Sequence, residues 1–289
     1  MSDRAAKKIE GIKKLYGIGK PDGLNTNYEG MTFFRLHRFI LDADRKPVGE
    51  EKTVLKMADV GLYLLLMFFS KEMLYNGKDG AKLPAFDSEL IKVIIKDTTK
   101  KKVMDSRSAK VIKTSFHKLN ELGLIKCITI KNDKTEIYKD IEVPFTHDDF
   151  TTGGFFKFYN IDMDTLLANI KTGNRKFGVK EFLELLGVYA VSCLIFYKDS
   201  KKDKPLNNGI VTVAQTPTRR YANRIDYTFG LKLSGGVRKK GVREYMDILD
   251  EMGVMITTTI QEDDKVFSVY TFPKNFEQLE KVIKDAYKD

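Results

Sequence analysis

The sequence predicts a mostly helical α+β protein that contains two copies of one folding unit. Three observations lead to this expectation: apolar residues recur with helical spacing, pairs of β-rich runs follow the helices, and short sequence echoes repeat in order. The 289 residues allow two domains of ordinary size, and 42% apolar residues suffice for packed cores. Disorder as the main state is therefore excluded.

The echoes lie 122 to 130 residues apart and keep their order along the chain. They pair Phe33-Phe34-Arg35-Leu36 with Phe155-Phe156-Lys157-Phe158, Gly61-Leu62-Tyr63 with Gly187-Val188-Tyr189, and residues 119–124 with residues 249–254. We interpret this order as an internal duplication.

The duplication sets the expected domain boundaries. The chain divides into a basic N-terminal segment at 1–30, a first unit at 31–145, a linker at 146–153, a second unit at 154–273 and a C-terminal helix at 274–289. The linker is assigned because that stretch is polar and ends in glycine.

In the first unit, residues 59–75 are apolar nearly all round, which predicts a buried helix. A shorter helix is expected at 87–96. Ser106 is placed as the N-cap of a third helix that runs to residue 122, and its apolar stripe is Ala109, Ile112, Phe116 and Leu119. Residues 124–131 and 135–143 are typical of a β-hairpin, with its turn at 132–134.

The second unit repeats this order. A buried helix is expected at 179–197, a short helix begins at Pro217 with Thr216 as its cap, and a third helix spans 239–252. Residues 254–260 and 265–272 predict the second hairpin. In the C-terminal helix, one apolar stripe is expected to pack, formed by Phe276, Leu279, Val282 and Ile283.

Three helices followed by a two-stranded hairpin resemble the winged-helix variant of helix-turn-helix, in which the hairpin is the wing. Gly123 and Gly253 fit this arrangement, since glycine takes the left-handed conformation that reverses a helix at its C-terminus. The expected fold is therefore two tandem winged-helix domains related by internal duplication.

Positive charge is concentrated on the predicted third helices and the segments before them. The chain carries 50 Lys plus Arg against 40 Asp plus Glu, a net charge of +10. Residues 100–118 hold seven bases and one acid, and residues 215–243 hold eight bases and one acid. A localised excess of this kind indicates a polyanionic partner, and a third helix in the major groove would present it to DNA.

We therefore predict double-stranded DNA as the partner. Thr114, His117 and Arg243 are expected to contact bases, whereas residues 100–102 and Lys239 are expected to contact phosphate. The full set of predicted DNA-binding residues is Lys100, Lys101, Lys102, Arg107, Lys110, Lys113, Thr114, His117, Lys118, Lys131, Lys134, Arg219, Arg220, Arg224, Arg238, Lys239, Lys240 and Arg243.

Three features qualify this expectation. Arg219, Arg220 and Arg224 are alternatively ion-pair partners of the acidic C-terminal helix. Residues 262–264 are all acidic, which makes the second wing tip unsuited to phosphate. The N-terminal segment places six bases around Ile9, Ile12 and Leu15, which fits either a basic helix that contacts phosphate or a frayed end.

No catalytic or metal site is predicted. The three histidines, His37, His117 and His147, are too far apart in sequence to form a metal pair, and the stretch 147–149 is better explained as linker. Neither glycine-rich stretch, at 17–20 or 77–80, continues into a phosphate-cradling motif. We expect a binding protein with no enzymatic activity, cofactor or metal.

The cytoplasm is the expected location. Two cysteines, Cys127 and Cys193, are too few for a disulfide framework. The basic residues at the start of the chain are not followed by the apolar region of a secretory signal. The two most apolar runs are ten residues long, about half of the roughly 20 needed to cross a bilayer, so no membrane association is expected.

Tandem winged helices, each preceded by a strand with two phenylalanines and a base and by a long apolar helix, resemble the replication initiators of plasmids and phages over residues 31–273. The resemblance implies binding to repeated origin sites and, as a second partner, a host replicative helicase or initiator. A monomer or a homodimer is expected.

Three other interpretations stay open. One is a transcriptional regulator that uses the same modules at a promoter. Another is a replisome adaptor that binds a helicase or primase and binds DNA only weakly. The least favoured is a nuclease, which metal-dependent cleavage of a plasmid would reveal.

Overall fold

Helices predominate in the protein, together with small antiparallel sheets of two, three and three strands. The mostly helical α+β class predicted from the sequence is confirmed at this level. The structure is a computed structural model that describes residues 2–37, 55–74, 82–86, 88–95, 106–131, 136–142, 155–198, 210–214, 242–262 and 265–288.

The elements follow one another in a similar order in the two halves of the chain. The first half contains α1 (Asp3–Tyr16), β1 (Phe33–His37), α2 (Met57–Leu74), β2 (Lys82–Phe86), α3 (Ser88–Ile94), α4 (Ser106–Glu121), β3 (Lys126–Lys131) and β4 (Glu136–Glu142). The second half contains β5 (Phe155–Tyr159), α5 (Asn160–Thr172), α6 (Val179–Lys198), β6 (Ile210–Ala214), α7 (Val242–Glu251), β7 (Ile256–Glu262), β8 (Lys265–Thr271), a 3-10 turn (Pro273–Asn275) and α8 (Phe276–Ala286).

The predicted helices and hairpins are present within a few residues of their expected bounds, because their apolar spacing is strong. The long helices α2 and α6 are buried on all sides over most of their described lengths. On α4, the expected stripe packs inward through Ile112, Phe116 and Leu119. The linker at 146–153 and the short helix expected at Thr216 and Pro217 lie outside the described residues.

Each hairpin gains a third strand that the sequence did not predict. The sheets have the orders β2-β4-β3 and β6-β8-β7, so β2 and β6 are edge strands. Pro84 lies within β2, and proline in a strand is tolerated only at an edge because it has no N–H to donate. Because proline is rare inside strands, the sequence pattern did not predict a strand at this position.

β1 and β5 form a separate antiparallel ribbon, in which Phe34 stands opposite Phe158 and Arg35 opposite Lys157. The Phe34 and Phe158 rings stack with centroids 5.5 Å apart on the buried face of the ribbon. Phe34 also contacts Phe68 of α2, and Phe158 contacts Tyr189 of α6. The ribbon is thereby fixed to both long helices.

Backbone contacts divide the chain into two compact units. The central unit comprises residues 32–191 and 231–239, and the terminal unit comprises residues 1–31, 192–230 and 240–289. This division differs from the expected boundaries, since β5, α5 and the first part of α6 belong with β1 and α2. The reason is that β5 pairs with β1 and that α6 packs closely on α2.

In the terminal unit, α1 completes the core of the C-terminal elements. Ala5, Ile9 and Ile12 are buried against apolar residues of β7, β8 and α8, whereas Leu15 is 75% exposed. The N-terminal segment is therefore a docked helix, with Ser2 as its N-cap. The C-terminal helix packs as predicted, through Phe276, Leu279 and Ile283.

Polar contacts also join α1 to α7, β7 and α8. The Tyr16 hydroxyl lies 2.6 Å from Oδ1 of Asp250 in α7, and the backbone N–H of Thr257 donates to the same oxygen at 2.9 Å. Lys13 of α1 forms an ion pair with Glu280 of α8 at 2.7 Å. Part of the basic N-terminal segment is thus neutralised within the protein.

Candidate nucleic-acid interface

The exposed face of α4 carries the clearest candidate site. Arg107, Lys110, Thr114 and His117 are spaced three or four residues apart, so they lie on one side of the helix, opposite the buried stripe, and Lys113 lies beside them. All five are exposed: Arg107, Lys110, Lys113, Thr114 and His117. These five predicted DNA-binding residues are brought together by the helix, as expected.

The electrostatics of α4 favour an anionic ligand. Its first turn contains no acidic residue, and no acid precedes Glu121 in the helix. Carboxylates normally occupy the first turn because the helix dipole makes that end positive. Arg107 in the first turn and Lys110 directly after it cost helix stability and add to the positive potential, which suits phosphate.

Asp59 of α2 holds α4 in place through a buried polar network. Its Oδ1 accepts a hydrogen bond from Ser115 at 2.5 Å, and its Oδ2 accepts one from Lys118 at 3.0 Å. The backbone N–H of Lys56, at the start of α2, also donates to Oδ2 at 2.7 Å. One carboxylate therefore caps α2 and anchors α4.

This network gives Lys118 a partner within the protein. The residue was predicted to bind DNA, but its ammonium group forms an ion pair with Asp59, whose side chain is 4% exposed. Lys118 lies one turn along from Ser115 and points toward α2 rather than along the exposed face. Lys118 follows Thr114 by four residues, so helical periodicity alone places the two on the same side of α4, and only the position of Asp59 shows that the lysine is ion-paired.

Aromatic stacking fixes the first hairpin to α4. The rings of Phe116 and Tyr138 are parallel within 5°, with centroids 3.8 Å apart, and Phe86 of β2 packs beside Phe116. Lys131 lies in β3 opposite Glu136, but its side chain is outside the described part of the structure. Helix and hairpin thus form one rigid surface.

The corresponding helix of the second half, α7, has a different surface. Among its described side chains, the exposed ones are Glu244, Asp247 and Glu251, all acidic, while Tyr245, Met246, Ile248 and Leu249 are buried. The bases predicted for this helix, Lys239, Lys240 and Arg243, have no described side chains, so their contact with DNA stays a prediction. Carboxylates on this face would repel phosphate.

All the predicted DNA contacts of the second unit have side chains that the structure does not describe. The side chain of Arg243 is among them, although its backbone is part of α7. The remaining predicted residues outside the described ranges are Lys100, Lys101, Lys102, Lys134, Arg219, Arg220, Arg224, Arg238, Lys239 and Lys240.

A basic turn between α5 and α6 was missed by the sequence argument. Lys171, Arg175 and Lys176 are all exposed in the central unit, and Arg175 lies 3.7 Å from Glu181. The signal was present, because three bases surround the turn-forming pair Gly173-Asn174 and an apolar pattern at Met163, Leu166 and Ile170 predicts the preceding helix.

Within the described ranges, His, Cys, Asp and Glu side chains form no group of three or more that could hold a metal ion. None of the helices in those ranges is both long and apolar enough to span a membrane. Comparisons of the chain with protein-family models, curated proteins and solved structures give no match.

Proposed function

We propose that the protein is a sequence-specific double-stranded DNA-binding protein that inserts α4 into the major groove. The observation that carries this proposal is the exposed face of α4, where three bases, a threonine and a histidine lie together with no acid among them. In this arrangement Arg107, Lys110 and Lys113 contact phosphate, while Thr114 and His117 reach base edges.

The fold proposed with this function is a pair of winged-helix units related by duplication. Three strands of the first half recur 128 to 130 residues later in the second half, in sheets of the same order. The hairpin of β3 and β4 serves as the wing beside α4. Duplicated DNA-binding units suit a site that contains repeats.

Repeated sites favour replication initiation at a plasmid or phage origin as the biological role, with a host replicative helicase or initiator as protein partner. Because α7 has an acidic face, we assign base readout to α4 and leave any DNA contact of the second unit to residues 215–243. A transcriptional regulator would use the same chemistry and differs only in the DNA site that it binds.

The acidic face of α7 favours a second candidate function, that of a replisome adaptor. Glu244, Asp247 and Glu251 form a surface that suits a basic protein better than DNA. Such an adaptor would form a stable complex with a helicase or primase in the absence of DNA and would show no preferred duplex.

The test is fluorescence anisotropy on tiled duplexes from the protein's own gene and flanking DNA, competed with random duplex across roughly 50 to 200 mM salt. We expect one duplex to outcompete random DNA by about 10³ or more, with affinity that falls steeply with salt. Direct repeats in that duplex would favour initiation over transcriptional control. Weak binding with no preferred duplex would reject the proposal.

A further inference from the structure

The outward face of the β1–β5 ribbon carries rings and positive charge that the proposed duplex contact does not use. Residues alternate between the faces of a strand, so the burial of Phe34, Leu36 and Phe158 places their neighbours on the other side. Phe33 is 37% exposed and Lys157 is exposed. We call Phe33, Lys157 and Tyr159 the ribbon face.

The three side chains of the ribbon face form one connected cluster. Phe33 stands opposite Tyr159 in the ribbon, and their rings are tilted by 57° with centroids 5.9 Å apart. The Lys157 ammonium lies 4.6 Å from the centre of the Phe33 ring. An exposed ring, a second ring beside it and a cation therefore lie next to one another on this face.

The composition of the ribbon is unfavourable for a purely structural role. Arg35 and Lys157 are paired directly across the strands, and like charges in that position destabilise a sheet. Six of the ten residues in β1 and β5 are aromatic and none is acidic. An anionic ligand would offset the repulsion between the two bases, and flat rings on that ligand would stack on the exposed aromatic side chain.

We propose that the ribbon face binds single-stranded DNA. Phosphate is drawn to Lys157, and an adjacent nucleobase stacks on the exposed part of Phe33 and Tyr159. Stacking on aromatic side chains combined with cationic backbone contacts is the usual mode of single-strand recognition. A duplex does not fit, because its bases are already stacked inside the helix.

This surface is separate from the exposed face of α4, so the two activities can be tested independently. The choice of DNA rather than RNA rests on the proposed function, since opening an origin releases single strands of DNA. The ribbon face would then hold one released strand while α4 keeps its contact with duplex.

The first experiment measures binding of an oligothymidine of about 12 nucleotides, a length within known single-strand site sizes. We expect Phe33→Leu and Lys157→Gln each to weaken binding about fivefold or more, and Phe33→Tyr to bind as the wild type does. The matched control Lys281→Gln removes an exposed base from α8 and should leave binding unchanged.

Duplex binding provides the internal comparison. The ribbon variants should keep wild-type affinity for duplex, whereas Lys110→Gln should weaken duplex binding and spare the oligothymidine. If the wild-type protein bound oligothymidine but no preferred duplex, the proposed function would be rejected and the ribbon proposal would stand. Equal binding of oligothymidine by the wild type and both ribbon variants would overturn the ribbon proposal, and tighter binding of the matching RNA would overturn the assignment to DNA.

A measurement on the unaltered protein guards against variants that fail to fold. Photo-crosslinking with an oligonucleotide that contains 5-iododeoxyuridine, followed by mass spectrometry, should place the adduct on Phe33 or Tyr159. Adducts found only at other residues would contradict the proposal. Circular dichroism of each variant checks that helix content is retained.

Discussion

Gly61 of α2 packs against Gly187 of α6, and the contact is reciprocal. A Cβ atom added to Gly61 would overlap the carbonyl oxygen of Leu183, one turn before Gly187. A Cβ atom added to Gly187 would overlap the carbonyl oxygen of Met57, one turn before Gly61. Contacts of this kind are typical of two-fold interfaces between identical copies, which supports the proposed duplication.

Gly61→Ala should destabilise the protein, because a methyl group at the crossing forces the two backbones apart. Overpacking of this kind typically costs about 1–3 kcal/mol, and here the clash is with backbone, which cannot rotate away. Thermal unfolding followed by circular dichroism would show a lower midpoint for Gly61→Ala and for Gly187→Ala.

The matched control is Gly11→Ala in α1, where nothing lies within 4 Å of the added Cβ. Alanine has the higher helix propensity, so this variant should be more stable by about 0.5–1 kcal/mol. If Gly61→Ala, Gly187→Ala and Gly11→Ala all changed the stability by the same amount, close packing at the crossing of α2 and α6 would not explain the two glycines.

Asp59→Asn should destabilise the protein by about 1.5–3 kcal/mol, the range for hydrogen bonds to charged groups. The amide still offers an oxygen to Ser115, but Lys118 loses its ionic partner in a largely buried position. Urea unfolding measures the change.

Two further variants test whether the loss of stability comes from the ion pair between Asp59 and Lys118. Glu121→Gln removes an exposed carboxylate at the end of α4 and should change stability by less than about 0.5 kcal/mol. In Lys118→Met, the substitution Asp59→Asn should cost less than in the wild type, because the pair is already broken. Additive effects would mean that Asp59 and Lys118 do not interact.

Lys110→Gln and Lys113→Gln should weaken binding to specific and random duplexes alike. Each removes one phosphate contact, so the slope of log affinity against log salt should fall in magnitude by about 0.9 for each variant. Anisotropy titrations at several salt concentrations measure the slope, with Lys281→Gln as control. An unchanged slope would remove these lysines from the interface.

His117→Ala and Thr114→Ala should act on sequence preference. Both side chains lie on the exposed face of α4, and a base contact contributes about 1–3 kcal/mol of discrimination. We therefore expect the ratio of specific to random affinity to fall, while the salt slope stays near the wild-type value. Competition with single-base variants of the preferred duplex would identify the base that each residue contacts. A preserved ratio would exclude α4 as the specificity element.

The stability of the terminal unit should depend on pH through Asp250. Burial raises the pKa of this carboxyl above its ordinary value of 3.8, although Tyr16 and Thr257 donate hydrogen bonds to it. The folded protein thus holds the proton more tightly than the unfolded chain. The contribution of Asp250 to the free energy of unfolding therefore falls as pH rises from about 3.8 to the raised pKa, and is constant above it.

Asp250→Asn removes this titration and keeps an acceptor oxygen for Tyr16 and Thr257. The stability of the variant relative to the wild type should consequently increase as pH rises through that window. Urea unfolding at a series of pH values gives the comparison, with Glu251→Gln as an exposed control on the same helix. If the free energy of unfolding changed with pH in the same way for the wild type and Asp250→Asn, the titration of Asp250 would not contribute to the pH dependence of stability.

Apolar periodicity located the long helices, because α2, α4 and α6 each bury a continuous pattern of side chains. The same periodicity placed Thr114 and His117 on the exposed side of α4. The edge strands were missed because Pro84 interrupts β2 and because a five-residue strand has too few residues to show alternation.

Contacts between residues that are far apart in the sequence could not be predicted from local sequence patterns. Nothing in the sequence near Lys118 indicates that Asp59 lies beside it, since the two are separated by 59 residues. Likewise, the echo between β1 and β5 was visible, but an echo does not reveal that its two copies pair with each other. The docking of α1 depends on residues at the opposite end of the chain for the same reason.

The core that α1 shares with β7, β8 and α8 has a consequence for biosynthesis. Ile9 and Ile12 leave the ribosome early, but Ile256, Leu279 and Ile283, which cover them, are made late. During translation the first helix therefore has an exposed apolar stripe and no neighbour to cover it, while the central unit can already form. The N-terminal helix reaches its final position only after synthesis of α8, so stalled chains would be open to proteases and chaperones at this stripe.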